Sequence, residues 1–412
     1  MKLSEVSQVD AMSSADSFII EAGGSERRVN LETLKGVLAS AVTTPPSTYT
    51  LEQNSNVSFD VSSNWAAYMY ASYMKGYLFR VVAGKVYAAQ LNDSWDAFAD
   101  GTAIDNITKY ETMVRVPKCH FKGEGTKMTF GGLNPVAGGH TFDSPEWVGA
   151  YMMYVDNNVG HSRPNVAPTH SKKITEFWTA AQQLGSNFGL ANYQFQCLIN
   201  AVYQAYYGNL NSQDVIGSGF QHQSWEACRD VPMGKCISLG NGSGKVLYED
   251  VTLGKQYSVK LFGFEDLWGK LWEFRPGIRF YMDGDTRKAV VYSGNQVSNT
   301  ASGREFVCLA TANGDYVTKM TLGEFWDMIP QAVGGSSSTY YADGAWASTT
   351  GELLLVGGHA NSGSQCGVAC SRSYSGFSSS NDGFSYSNTT IGARLAFYGT
   401  PIIVDGSVLV AM

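Results

Sequence analysis

The sequence predicts an α+β fold, and three observations carry that prediction. Two amphipathic helical stretches stand in mid-chain. After about residue 215 the chain turns to short strands and Gly/Ser/Asn turns, with almost no helical periodicity outside "TLGEFWDMI". Alternating apolar runs before residue 112 read as strands joined by tight turns. A chain of 412 residues exceeds one ordinary domain. Its texture divides it into a short module at 1–45, a small β-rich spacer at 46–112 and a main domain at 113–412.

Taken in order, Phe18, Ile19 and Ile20 give a short strand, Gly23-Gly24 a turn and the run to Val29 a return strand. A helix is expected after Asn30, with Glu32 in its first turn. "TTPPST" is a linker, because two prolines stop helix and ladder alike. "FRVV" and "KVYAA" flank Ala83-Gly84 as a hairpin. "MVRVPKCHFK" alternates as one strand. "SKKITEFWTAAQQLG" is a helix capped by Ser171 and stopped at Gly185. "NYQFQCLINAVYQAYYG" is a second helix, with apolar residues at 195, 198, 199, 202 and 206 and Gly208 at its end.

Composition excludes some classes. Charged residues are 16%, aromatics 13% and the formal net charge is −7, so surfaces should be polar but largely uncharged. There is no Lys/Arg-rich run to track phosphates, which argues against a nucleic-acid partner. No stretch is long and apolar enough for a membrane helix, and no secretory signal is read at the N-terminus. Seven cysteines without CxxC or zinc spacing suggest free thiols.

Between Gly357 and Thr390 there is no Lys and no Glu, and the only charges are Arg372 and Asp382. Tyr374, Phe377, Phe384 and Tyr386 speak against a disordered tail, which is ordinarily charged and poor in aromatics. Tyr, Ser, Gly and Asn are the alphabet of antibody loops, where Tyr offers rigid contact area and Ser/Asn adaptable hydrogen bonds. The segment therefore reads as a binding surface on a fixed frame. "SSSTYYADGAW" shares its composition.

Two stretches carry a family resemblance. "FGFEDLWGKLWEFRPGI" resembles an element of C-type-lectin-fold proteins related to formylglycine-generating enzymes, and "VGGHANSGSQCGVACSRSYSGF…NTTIGARLAF" resembles the variable region of proteins diversified by retroelements. "ADSFIIEAGGSERRVNLETLKG" is similar to a short N-terminal module of phage tail fibres. The resemblance implies a C-type lectin fold in 113–412 with a variable region at about 334–397. It also implies a phage tail-tip receptor-binding protein, joined to tail proteins through 1–45 and binding a host-cell surface receptor, protein or glycan. Such a protein is made in the bacterial cytoplasm, released in the virion, a homotrimer and not an enzyme. Adenine mutagenesis would explain the alphabet, since AAC-type codons then give Asn, Ser, Tyr, Gly, Phe or Cys but never Lys or Glu. A cell- or prophage-encoded surface adhesin of the same fold is the alternative.

On this reading Ser337, Thr339, Tyr340, Tyr341, Asp343 and Trp346 join Ala360, Asn361, Ser364, Gln365, Cys366, Ala369, Ser371, Ser373 and Tyr374 as outward-facing ligand contacts, with Gly363 and Gly367 shaping turns. Trp268 and Trp272 are expected in the core, and Arg394 is expected to be paired. No cofactor, metal or membrane insertion is expected. "LGNGSGKV" lacks the phosphate-loop hydroxyl, Asp283 and Asp285 lack a full oxygen array, and the six histidines have no ligand spacing. A copper-dependent oxidase using Cys366 and Cys370 is the enzymatic alternative.

Overall fold

The computed structural model describes residues 17–22, 25–30, 46–52, 54–60, 64–294, 297–373 and 386–412. It divides into two units, Met1–Pro45 and Pro46–Met412, with the boundary inside the proline pair. In the first, Ser17–Ala22 and Ser25–Asn30 pair antiparallel, with Ala22 opposite Ser25. The helix expected after Asn30 lies outside the described residues.

The second unit mixes helices with several sheets. One seven-stranded sheet runs in the order Phe188–Leu190, Arg394–Phe397, Trp147–Met152, Glu111–Arg115, Gly76–Val82, Lys85–Gln90, Ile402–Ile403. A five-stranded sheet joins Ser47–Leu51 and Val57–Phe59 to Lys127–Gly132, His120–Glu124 and His140–Thr141. The spacer expected at 46–112 is therefore not a separate unit. Its strands supply edges that distant chain covers: Gly76 pairs with Val114, and Ser47 with Phe130. An isolated hairpin is marginal and its open edges are a liability, so long-range pairing is the stable outcome.

The Ala83-Gly84 hairpin forms as expected. Val82 pairs with Lys85, and the two turn residues have φ of 49° and 75°, the conformation a two-residue connection between twisted strands needs. "MVRVPKCHFK" is instead two strands, Glu111–Arg115 and His120–Glu124, which lie in different sheets. Pro117 has no N–H to give a ladder, and the chain changes sheets there.

The three longest helices among the described residues pack against the sheets. Helix α1 spans Trp65–Ser72. Helix α2, Ile174–Gln182, starts later than Ser171 implies: Ser171 is left-handed at φ 60°, and the Lys173 amide donates to Glu176 Oε2 at 2.6 Å. Helix α3, Tyr193–Tyr207, is capped by Asn192 Oδ1 accepting from the Phe195 amide at 2.9 Å, and ends on left-handed Gly208 at φ 63°. It is buried nearly all round, including Gln196, Asn200 and Gln204. Buried amides need partners. Gln196 and Asn200 both donate to the Val368 carbonyl, at 2.7 and 3.1 Å, and so fix the chain around 368 to the central helix.

"LGNGSGKV" is a turn between the short helical turn Ile237–Leu239 and the strand Gly244–Asp250. "MDGDTR" is a hairpin turn with Asp283 opposite Thr286, and Asp283 pairs with Lys288. All seven cysteines are free and buried.

Candidate binding surface and its frame

A second seven-stranded sheet carries both expected variable segments, in the order Asp327–Val333, Ala312–Leu322, Gly344–Ala347, Ser371–Ser373, Leu355–Val356, Trp272–Phe274, Ile391–Gly392. Beneath it lies an ionic centre. Arg394 is fully buried: its Nη2 lies 2.6 Å from Glu273 Oε1, its Nε 3.0 Å from Oε2, and it donates further to the carbonyls of Gly149, Ala150 and Glu265. Arg275 Nη1 holds Glu273 Oε2 at 2.8 Å. Burial pushes the Glu273 carboxyl up, but the two guanidinium groups prevail and hold it below the usual value. Arg394 thus ties the first sheet to the second, paired as the sequence suggests. Trp268 and Trp272 are buried beside it, and Trp268 Nε1 donates to the Gly217 carbonyl at 2.8 Å.

The two serine- and tyrosine-rich segments meet above this frame. The amides of Gly334 and Gly335 donate to the Tyr316 carbonyl, and Tyr316 Oη bonds Ser364 Oγ at 2.8 Å. Gln213, on the helical turn Ser212–Val215, donates to the Ser364 carbonyl at 2.6 Å and to the Ala342 carbonyl at 2.9 Å. Gln365 Nε2 donates to the Gly314 carbonyl.

Of the expected contacts, Ser337, Asn361 and Ser364 are exposed, while Thr339, Tyr340, Trp346 and Gln365 are half-buried. Tyr341, Asp343, Ala360, Cys366, Ala369, Ser371 and Ser373 are buried, which corrects the expectation that they face outward. Tyr374 lies outside the described residues. The reasons are local. Ser371–Ser373 is an interior strand between Gly344–Ala347 and Leu355–Val356, and its alternation runs the other way: Arg372 is half-buried and the two serines face in. Residues 360–365 form a short 3-10 helix, to which strand alternation does not apply.

Asp343 organises the surface from below. Its Oδ2 accepts from the Ala369 amide at 2.7 Å and its Oδ1 from Gln213 at 3.3 Å. Burial outweighs these bonds and pushes the carboxyl up to about 7. Gly367 serves this contact more than a turn, because a Cβ there would stand 1.9 Å from Asp343 Oδ1. Gly363, at φ 57° and ψ −132°, does set a kink.

Cys366 and Cys370 are fully enclosed. Cys366 Sγ donates to the His359 carbonyl at 3.2 Å, and burial drives both thiols above their usual value, the opposite of what a thiolate ligand needs. Among the described residues, no group of three or more His, Cys, Asp or Glu is placed to hold a metal ion. Nor is any helix there long and apolar enough to cross a membrane.

No protein-family model matches the chain, and no curated protein matches it. Sequence reasoning missed Gln213, Tyr316 and the amides of α3. The spacing of Gln196, Asn200 and Gln204, four apart on one face of a largely apolar helix, was the available signal.

Proposed function

We propose that this chain is a receptor-binding protein of a phage tail tip, in which a C-type-lectin-like domain displays a variable surface to a host-cell receptor. One observation carries the reading. Two separate segments alike in composition converge through Tyr316, Gln213 and Gln365, and present serine hydroxyls, Asn361 and Tyr340 without a Lys or Glu. Such side chains adapt to many ligands at low entropic cost. The ion-paired interior beneath them does not depend on their identity. The hairpin module at 1–45 joins the tail, and trimeric display gains avidity from several weak sites.

The test of diversification is the DNA around the gene. A near-copy of the coding segment for 334–397, differing mainly at adenines and lying beside a reverse-transcriptase gene, supports the reading. Differences spread evenly over all four bases would contradict it.

A further inference from the structure

A second site stands apart from the display surface and shares no residue with it. It is a cleft of about 460 Å³, within the ordinary range of ~300–1,000 Å³ for small-ligand sites, between α1, the end of α3 and the turn at 240–243. Its two walls differ in chemistry.

One wall is aromatic. Tyr68 meets Tyr206 edge-on at 4.6 Å, Tyr206 meets Phe262 at 5.2 Å, and Tyr207 stacks on Phe262 at 6.0 Å. Tyr68 is 42% exposed, and the hydroxyls of Tyr68 and Tyr206 make no hydrogen bond among the described residues. Phe262 is held at φ 48°, a left-handed conformation costly for a bulky residue, with its amide donating to Ser243 Oγ at 2.8 Å.

The other wall is polar and braced. Asp93 Oδ1 accepts from Lys75 Nζ at 2.6 Å and from Asn241 Nδ2 at 2.7 Å, which leaves Oδ2 without a partner among the described residues on a side chain 77% exposed. Asn241 is fixed in turn: its Oδ1 accepts from the Gly76 amide and from Trp95 Nε1, both at 2.8 Å, and its amide donates to the Asp93 carbonyl at 3.0 Å. Gly240 lets the two loops lie this close, since a Cβ there would stand 1.8 Å from the Asp93 carbonyl oxygen.

We propose that this cleft binds a neutral pyranose sugar. A pyranose has a face of C–H groups that packs on aromatic rings, and a rim of hydroxyls that both donate and accept. Tyr68 and Tyr206 supply rings with free hydroxyls at their edges, Asp93 Oδ2 accepts, and Lys75 donates. A purely apolar occupant would strand the Lys75–Asp93 pair under it without water, and a free anion would meet the Asp93 carboxylate. The site stands independently of the reading of the display surface.

The test is saturation-transfer NMR on the full chain with the methyl glycosides of glucose, galactose, mannose and N-acetylglucosamine as probes. At least one should receive saturation on its ring C–H groups. The signal should fall at least fivefold in both Tyr68→Ala and Asp93→Asn, with the melting temperature unchanged, and should persist in Tyr340→Ala. No transfer to any of the four, or transfer that survives both cleft substitutions, overturns the proposal. Concentration-dependent self-association abolished by Tyr68→Ala, without glycoside signals, also overturns it and makes the aromatic wall an interface between copies.

Discussion

The interior around Arg394 and the surface above it are built from opposite materials. Within the core, Glu273, Arg275 and Arg394 are fully buried ions with assigned partners, and Lys270 lies 3.7 Å from Asp266 nearby. On the candidate face the exposed side chains among the described residues of the two segments are Ser336, Ser337, Ser338, Asn361, Ser364, Ser387, Asn388 and Thr389, none of them charged. The contrast separates two tasks. Ions in a low-dielectric interior must be paired at one geometry, so they fix how the sheets meet. Hydroxyls and amides in water have no such demand and can be exchanged without disturbing what lies below.

The comparison is broken most severely at its buried end. Arg394→Met leaves Glu273 with one guanidinium and several carbonyls without a donor, and should cost ~3–5 kcal/mol of stability in chemical denaturation. Trp272→Ala opens a cavity beside it, and a loss of ~3–5 kcal/mol is expected by the same measurement.

Two adjacent tyrosines sharpen it. Tyr341 is 3% exposed and Tyr340 half-buried at the surface. Tyr341→Ala should destabilise the fold by ~3 kcal/mol or more. Tyr340→Ala should change stability by little while weakening receptor binding by ~1–3 kcal/mol, read as a paired melting and binding measurement. Equal melting losses in the two variants would dissolve the distinction between frame and surface.

A smaller effect lies at the junction of the two regions. Asp343 has its folded-state carboxyl raised to about 7 by burial, above its unfolded value, so the native state holds its proton more tightly than the unfolded chain. Its contribution to stability is present below the ordinary carboxylate range and is lost as pH rises toward and past about 7. Across that window the parent should lose on the order of a few kcal/mol relative to Asp343→Asn. Urea titrations of both chains at pH 4.5, 6 and 7.5 check it, and parallel pH profiles would remove Asp343 from the account.

Much of this was legible in the sequence, and the failures have physical causes. The hairpin around Ala83-Gly84 and helix α3 could be read because local chemistry decides them: a tight two-residue turn between alternating runs, and a helical apolar periodicity closed by a terminal Gly. The burial of Trp268 and the pairing of Arg394 followed from side-chain chemistry alone. The spacer could not be read correctly, because a strand such as Gly76–Val82 does not announce that its partner starts at Glu111. In the candidate surface, composition marked two segments that the structure brings together, but not which of their faces are exposed. Ser371 and Ser373 are as small and polar as Ser364, and only the neighbouring strands decide that they point inward. Asp343 read as a contact because its segment shares the composition of the variable run, yet it is enclosed by Gly367, Ala369 and Gln213.

The most direct test of the central claim is host-cell adsorption by a chain carrying Ser337→Lys, Asn361→Lys and Ser364→Lys together, measured alongside its melting temperature. All three positions are exposed, and charges there should not disturb the ion-paired frame. The melting temperature should be unchanged and adsorption reduced at least tenfold. Adsorption equal to that of the parent, from a chain that melts normally, would contradict the assignment of this surface to receptor binding.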